Sequence, residues 1–149
     1  MRAEQPDERV SSSPKNPIAA EVLLFLCRHR VPVLTRLVQV MLGCDINCTI
    51  PSGLLLAHPY GITVHSQTRL GQRVTIMQHV TLGARRLDNL APVIGDDVYI
   101  GAGAVVLGAV CIGNRARIGA NSVVTKNVPD DATVVGANRI VTSVSDVLE

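Results

Sequence analysis

From Ile46 onward, branched apolar residues recur at every sixth position for most of the chain. Ile94, Ile100, Val106, Ile112, Ile118 and Val124 share one phase, and Val98, Ala104, Val110, Ala116, Ser122 and Val128 each follow four residues behind. Gly95, Gly101, Gly113 and Gly119 stand directly after the large residue, where small size or a positive φ is wanted. A helix of 3.6 residues per turn drifts off a six-residue beat within a few turns, so the period excludes helix. Short strands joined by tight corners satisfy it: each hexad is one flat side, the large residue points to the axis, and the small one lets the chain turn. The same phase runs backward through Leu82, Ile76, Leu70, Val64 and Ile46, trailed by Val80, Val74, Thr68, Ile62 and Ile50. About fourteen hexads result, enough for roughly five coils of a three-sided prism. Ser52, His58 and Asp88 interrupt the large-residue phase with polar side chains.

Upstream, the beat gives way to helical spacing. Ile18, Val22 and Leu26, then Val33, Leu37, Val40 and Met41, are the apolar anchors of a helical segment over residues 18–43, and Pro32 divides it into two short helices. The apolar run from Val22 to Cys27 is far below the roughly twenty residues needed to span a bilayer, and Arg28, His29 and Arg30 end it. That face is expected to pack on the coils or on a neighbouring subunit. Residues 1–17, with Ser11, Ser12, Ser13, Pro14 and Pro17 among charges, read as a flexible tail, and residues 141–149 as a short C-terminal one. No signal peptide is visible among Arg2, Glu4, Asp7, Glu8 and Arg9, which points to the cytoplasm. The repeat relaxes between Ala84 and Ala91, where Arg85, Arg86, Asp88 and Asn89 predict a protruding corner loop that either touches substrate or is simply solvated.

Composition narrows the picture further. A chain of 149 residues suits one domain. Apolar residues make up 47% and aromatic ones only 2%, so the core must be filled by Val, Ile, Leu and Ala, as stacked coils require. A formal charge of +2 without a basic stripe argues against nucleic acid as a partner. Cys27, Cys44, Cys48 and Cys111 have neither disulfide nor zinc spacing, and Cys111, beside Val110 in a corner, reads as a buried or half-buried thiol.

Chemistry is best sought where the beat fails. His58 stands on a phase otherwise filled by Val, Ile or Leu, so the coil must distort or open there. An imidazole is the side chain best suited to accept a proton near neutral pH, although a hydrogen-bonded structural histidine fits the same position. Asp45 precedes the first hexad; it is either a turn residue or a carboxylate that accepts the Nδ1–H of His58 and fixes its tautomer. His65 and His79 raise the question of a three-histidine metal site with His58. The three residues take different hexad phases and leave the prism in different directions, so no metal is expected.

Several blocks carry a resemblance: Asp45-Ile46, His58-Pro59-Tyr60-Gly61-Ile62, Gln78-His79-Val80-Thr81-Leu82-Gly83, Ala91-Pro92-Val93-Ile94-Gly95, Ile100-Gly101-Ala102-Gly103-Ala104 and Ile118-Gly119-Ala120-Asn121-Ser122-Val123-Val124. From Cys44 to Ile140 the chain resembles the serine acetyltransferase-like branch of the hexapeptide-repeat acyltransferases. The resemblance implies an all-β domain over residues 44–140, a left-handed parallel β-helix that works as a homotrimer. It implies acetyl-CoA as co-substrate and O-acetyl transfer to a small acceptor: serine, a related amino acid, or a sugar hydroxyl of a polysaccharide precursor. It further implies His58 as general base and Asp45 as its partner. CoA would lie in a groove between two subunits, contacted by Gly83, by backbone near Ala102 and Ala120, and by Lys126 and Arg139.

The chain departs from that pattern. A short helical segment stands where serine acetyltransferases carry a large helical domain, and the segment between Asp45 and His58 is shorter than theirs. Ala91-Pro92-Val93 replaces a His-Pro-Lys-like block, and Gly136-Ala137-Asn138-Arg139 replaces Gly-x-Pro-Ala. The first and third of these departures tilt the expected acceptor away from serine. Two rival readings use the same repeats: a non-catalytic trimeric scaffold, and a zinc-dependent enzyme like the hexapeptide carbonic anhydrases.

Overall fold

The computed structural model describes residues 15–29, 31–85 and 90–141. Helix α1 (Ile18–His29) packs against α2 (Pro32–Leu42). Pro32 opens α2 at its first turn, where a missing N–H costs nothing, and Gly43 ends it at φ 62 with its own N–H on the carbonyl of Val40. Ala20, Leu23 and Leu26 are the buried face of α1, and no helix among the described residues is long and apolar enough to cross a membrane. The tail expected over residues 1–17 lies outside the described residues except at its end. There Asn16 is tied down, donating to the carbonyl of Leu54 at 2.9 Å and accepting from the N–H of Leu56 at 2.7 Å.

The strands follow in order: β1 (Asp45–Ile46), β2 (Leu55–Leu56), β3 (Thr63–Val64), β4 (Arg69–Leu70), β5 (Thr75–Ile76), β6 (Thr81–Gly83) and β7 (Val93–Ile94). The remainder are β8 (Tyr99–Ile100), β9 (Val105–Leu107), β10 (Cys111–Ile112), β11 (Arg117–Ile118), β12 (Val123–Val124), β13 (Thr133–Val135) and β14 (Arg139–Val141). They stack into three faces, β1-β3-β6-β9-β12, β4-β7-β10 and β2-β5-β8-β11-β13-β14. Every pairing is parallel except β13 with β14, so the body is a parallel β-helix as expected. Asp45 pairs with Thr63 and Thr63 with Thr81, an advance of 18 residues per coil, or three hexads. From Thr81 to Val105 the advance is 24, so the coil holding the loop after β6 carries six extra residues. Residues 86–89, with Asp88, lie outside the described residues, as does the tail expected over 141–149 except for Val141, which ends β14.

Both predicted phases point inward. Ile94, Ile100, Val106, Ile112, Ile118 and Val124 are buried, and so are the residues trailing them by four, including Ser122. The glycines after the large residues serve small size rather than backbone freedom, since none of the four has a positive φ. A Cβ on Gly101 would meet the backbone nitrogen of Ala120, one coil away, at 2.7 Å. Cys111 is exposed, against expectation, because it occupies the outward position of β10.

One prism edge carries a column of left-handed residues: Gly53, Arg73, Asp97, Arg115 and Asp131, at φ between 53° and 71°. The charges alternate. Arg73 grips Asp97 through two 2.6 Å hydrogen bonds, and Arg115 grips Asp131 at 2.6 and 2.7 Å. Beside it, Asp96, Asn114 and Asp130 each accept the backbone N–H of the residue one coil below, satisfying donors that the corners leave unpaired. The hydrogen bond from Arg73 holds the Asp97 carboxyl below its ordinary value. A depressed folded-state pKa contributes stability above the unfolded pKa, near pH 4, and that contribution is lost as pH falls through the folded value. Asp97→Asn should therefore give a small decrease in thermal midpoint at pH 7 and none near pH 2. Equal decreases at both pH values would show that the ion pair is not the cause.

Candidate active site

The corner between Leu56 and Thr63 holds six residues, 57–62, whereas the corners stacked on it, 77–80, 101–104 and 119–122, hold four. The two extra residues shift the phase: Leu56 fills the core at 0% exposure, and His58 projects into solvent. The coil does open at His58, but His58 leaves the core instead of distorting it. The inward position that the six-residue count gives to residue 58 is taken by Leu56.

The widened corner is held from three sides. Tyr60 N–H donates to the carbonyl of His58 at 2.8 Å, a tight turn centred on Pro59. Gly61 N–H donates to Leu42 O at the end of α2 at 3.1 Å, and His79 N–H to Tyr60 O at 2.9 Å. The third anchor is Cys44, whose buried Sγ–H reaches Pro59 O at 3.2 Å. Burial pushes the Cys44 thiol up, which keeps it protonated as the donor this contact needs.

Asp45 pairs with Thr63, the first residue past the corner. Its Oδ1 accepts from Asn47 Nδ2 at 2.8 Å and from Arg36 Nη1 at 3.4 Å. Among the described residues no hydrogen bond joins Asp45 to His58, and Oδ2 accepts none. The structure thus brings the two residues to neighbouring positions around Thr63 without closing a dyad.

The three histidines do not point three ways. His65 sits between β3 and β4, where its Nδ1 accepts the N–H of Gln67 at 3.3 Å, as a turn residue does. His79 adopts φ 58 in the corner directly above that of His58, with its ring across Gly61. A Cβ on Gly61 would fall 2.9 Å from Cε1 of that ring. His79 therefore shares an edge with His58, contrary to the reading from hexad phase. Beside it, Oε1 of Gln78 is buried without a partner.

Ala102 and Ala120 lie on this same edge one coil apart, with Asn121 N–H on the carbonyl of Ala102 at 2.8 Å. Gly83 ends β6 and Lys126 follows β12, at the edge that leads to the next face, and both Lys126 and Arg139 are exposed. Two cavities accompany the first coils. One, of about 710 Å³, lies against α2 and is lined by Arg36, Gln39, Asn47 and Cys48; the other, of about 690 Å³, by Ser66, Thr68, Arg69, Leu90 and Ala91. His58 lines neither of them and is exposed.

Sequence reading missed Arg36, Asn47, Cys44 and His79 as elements of this corner. Only the last had a signal: His79 lies 18 residues beyond Gly61, one full coil, so the two must stack.

Comparison with known proteins agrees with this architecture. Residues 91–126 match the family described as bacterial transferase hexapeptide (six repeats). A serine acetyltransferase of Helicobacter pylori is 40% identical over 108 residues, covering 70% of this chain and 63% of that protein. Its counterpart in Mycobacterium tuberculosis is 41% identical over 102 residues, covering 66% and 44%. The solved structure of soybean serine acetyltransferase complexed with serine superposes with a TM-score of 0.68 at 36% identity, over 83% of this chain and 54% of that one. The chain spans about half the length of the curated relatives it matches.

Proposed function

Since the chain is a hexapeptide-repeat β-helix protein related to the serine acetyltransferases, we propose that it is an acetyl-CoA-dependent O-acetyltransferase with His58 as its general base. The carrying observation is the widened corner: it presents a solvent-facing imidazole, is held by backbone contacts through Tyr60 and Gly61 and by the thiol of Cys44, and lies on the edge that also bears Ala102 and Ala120. His58 takes the proton of an acceptor hydroxyl as its oxygen attacks the thioester carbonyl. The tetrahedral intermediate collapses by breaking the C–S bond, and the imidazolium returns the proton to the departing CoA thiolate. Corner N–H groups hold the oxyanion in this scheme. Asp45 offers Oδ2 to the Nδ1–H of His58, while Asn47 and Arg36 hold Oδ1.

CoA, in this reading, runs along the edge past Ala102 and Ala120, with Gly83, Lys126 and Arg139 supplied from a neighbouring copy or from the far side of the groove. A homotrimer supplies the second wall of that groove. Exposed Val22 and Phe25 on α1 and Leu37, Val40 and Met41 on α2 support burial against other copies. The neighbour solved with serine makes serine the first acceptor to try. Thiol release from acetyl-CoA should follow addition of L-serine or of another hydroxylated acceptor from a panel of amino acids and sugars. A protein that releases no thiol with any of them is not this enzyme.

A further inference from the structure

We propose that His79 is the acceptor-contacting residue of this site, donating a hydrogen bond to a carboxylate borne beside the acceptor's hydroxyl; this rests on the acyl-transfer reading above. The left-handed position it occupies recurs in each stacked corner, at Gly61 (φ 63), Gly103 (φ 69) and Asn121 (φ 54). Glycine and asparagine adopt that conformation cheaply and histidine is among the residues enriched there, so His79 is set apart by its ring and not by its φ. His79 is the one member of the set with an ionisable ring.

A structural role leaves traces that are missing here. A histidine kept for structure spends its ring nitrogens on protein partners, as His65 does with Gln67 N–H. The exposed ring of His79 makes no hydrogen bond or ion pair with any described residue, and its backbone N–H alone ties it to the His58 corner. Space for it is built in: Gly61, directly below, lacks the Cβ that would collide with the ring. The neighbouring Gln78 Oε1, buried and unpartnered, is a second unused polar group in the same corner. In the corner of His58 itself, Ala57, Pro59, Tyr60, Gly61 and Ile62 carry no charge, and the nearby Arg36 is engaged with Asp45 Oδ1, which leaves the coil above as the place for a group that meets a charged acceptor. An imidazole with no protein carboxylate against it suits an anionic group.

His79→Gly separates the two roles, because glycine is the residue that φ 58 favours and should leave the fold in place. In thiol-release assays of the full chain with L-serine and acetyl-CoA, this variant should raise the KM for serine about tenfold or more, the scale of one hydrogen bond to a charged group. The kcat should stay within about threefold, the KM for acetyl-CoA and the thermal midpoint should not change, and His79→Asn should restore part of the loss. An unchanged serine KM, or a loss shared equally with acetyl-CoA, overturns the inference alone. Wild-type protein that does not acetylate serine while acetylating another hydroxyl overturns the carboxylate recognition and leaves the transferase reading standing. Wild-type protein without thiol release on any acceptor overturns both.

Discussion

His58→Ala should lower acetyl transfer by about 10²–10⁴-fold, the share that a positioned general base contributes. The structure separates this effect from damage to the fold. The imidazole is exposed and bonds to no described side chain, while the corner is held by backbone contacts through Tyr60 and Gly61 and by the thiol of Cys44. Alanine can take the same backbone course, because the His58 carbonyl rather than its ring closes the turn at Pro59. Circular dichroism and the sedimentation coefficient should match wild type while single-turnover thiol release collapses. Residual rate would come from positioning and oxyanion stabilisation, which the substitution leaves alone. A variant turning over near the wild-type rate would end the assignment of His58 as base.

The second large effect concerns the scaffold. Ile100→Ala should cost about 2–5 kcal/mol in chemical denaturation, the range for deleting a fully buried Ile side chain. Ile100 is 0% exposed and lies on the third face, between Ile76 below and Ile118 above. Each coil in such a stack rests only on its neighbours, so a hole in one weakens two interfaces at once. Parallel pairing with β5 below and β11 above pins both neighbouring backbones, which limits collapse around the gap. A cost below about 1 kcal/mol would mean that the coils close over it after all.

The body of the fold was legible because its signal is periodic and redundant. Each of Ile94, Ile100, Val106, Ile112, Ile118 and Val124 reports the same geometry, and Pro32 and Gly43 punctuate the helices by their own backbone chemistry. The candidate site was legible only in part. Counting by sixes drew attention to His58, yet it misplaced the residue, because the two residues gained in its corner are lost elsewhere in the same coil. Asp45 to Thr63 still spans 18 positions, so no count along the chain reveals the slip. Contacts set by three-dimensional closure, such as Cys44 on Pro59 or Arg36 on Asp45, follow no period at all. Cys111 shows the converse: its neighbours Val110 and Ile112 are buried, and the alternation along β10 turns the thiol outward.

The alternating column of Arg73, Asp97, Arg115 and Asp131 bears on how the chain finds its order. Shifting the stack by one whole coil would return apolar residues to apolar slots, so hydrophobic burial scarcely distinguishes the native stack from one that skips a coil. The charges do distinguish them. With the third coil looped out, Arg73 would face Arg115; with the fourth omitted, Asp97 would face Asp131. Like charges would meet where the native stack has its bidentate pairs, so each skip is penalised by repulsion as well as by a lost pair. A repeat that is nearly blind to its own numbering thus carries, on one corner, an electrostatic parity check.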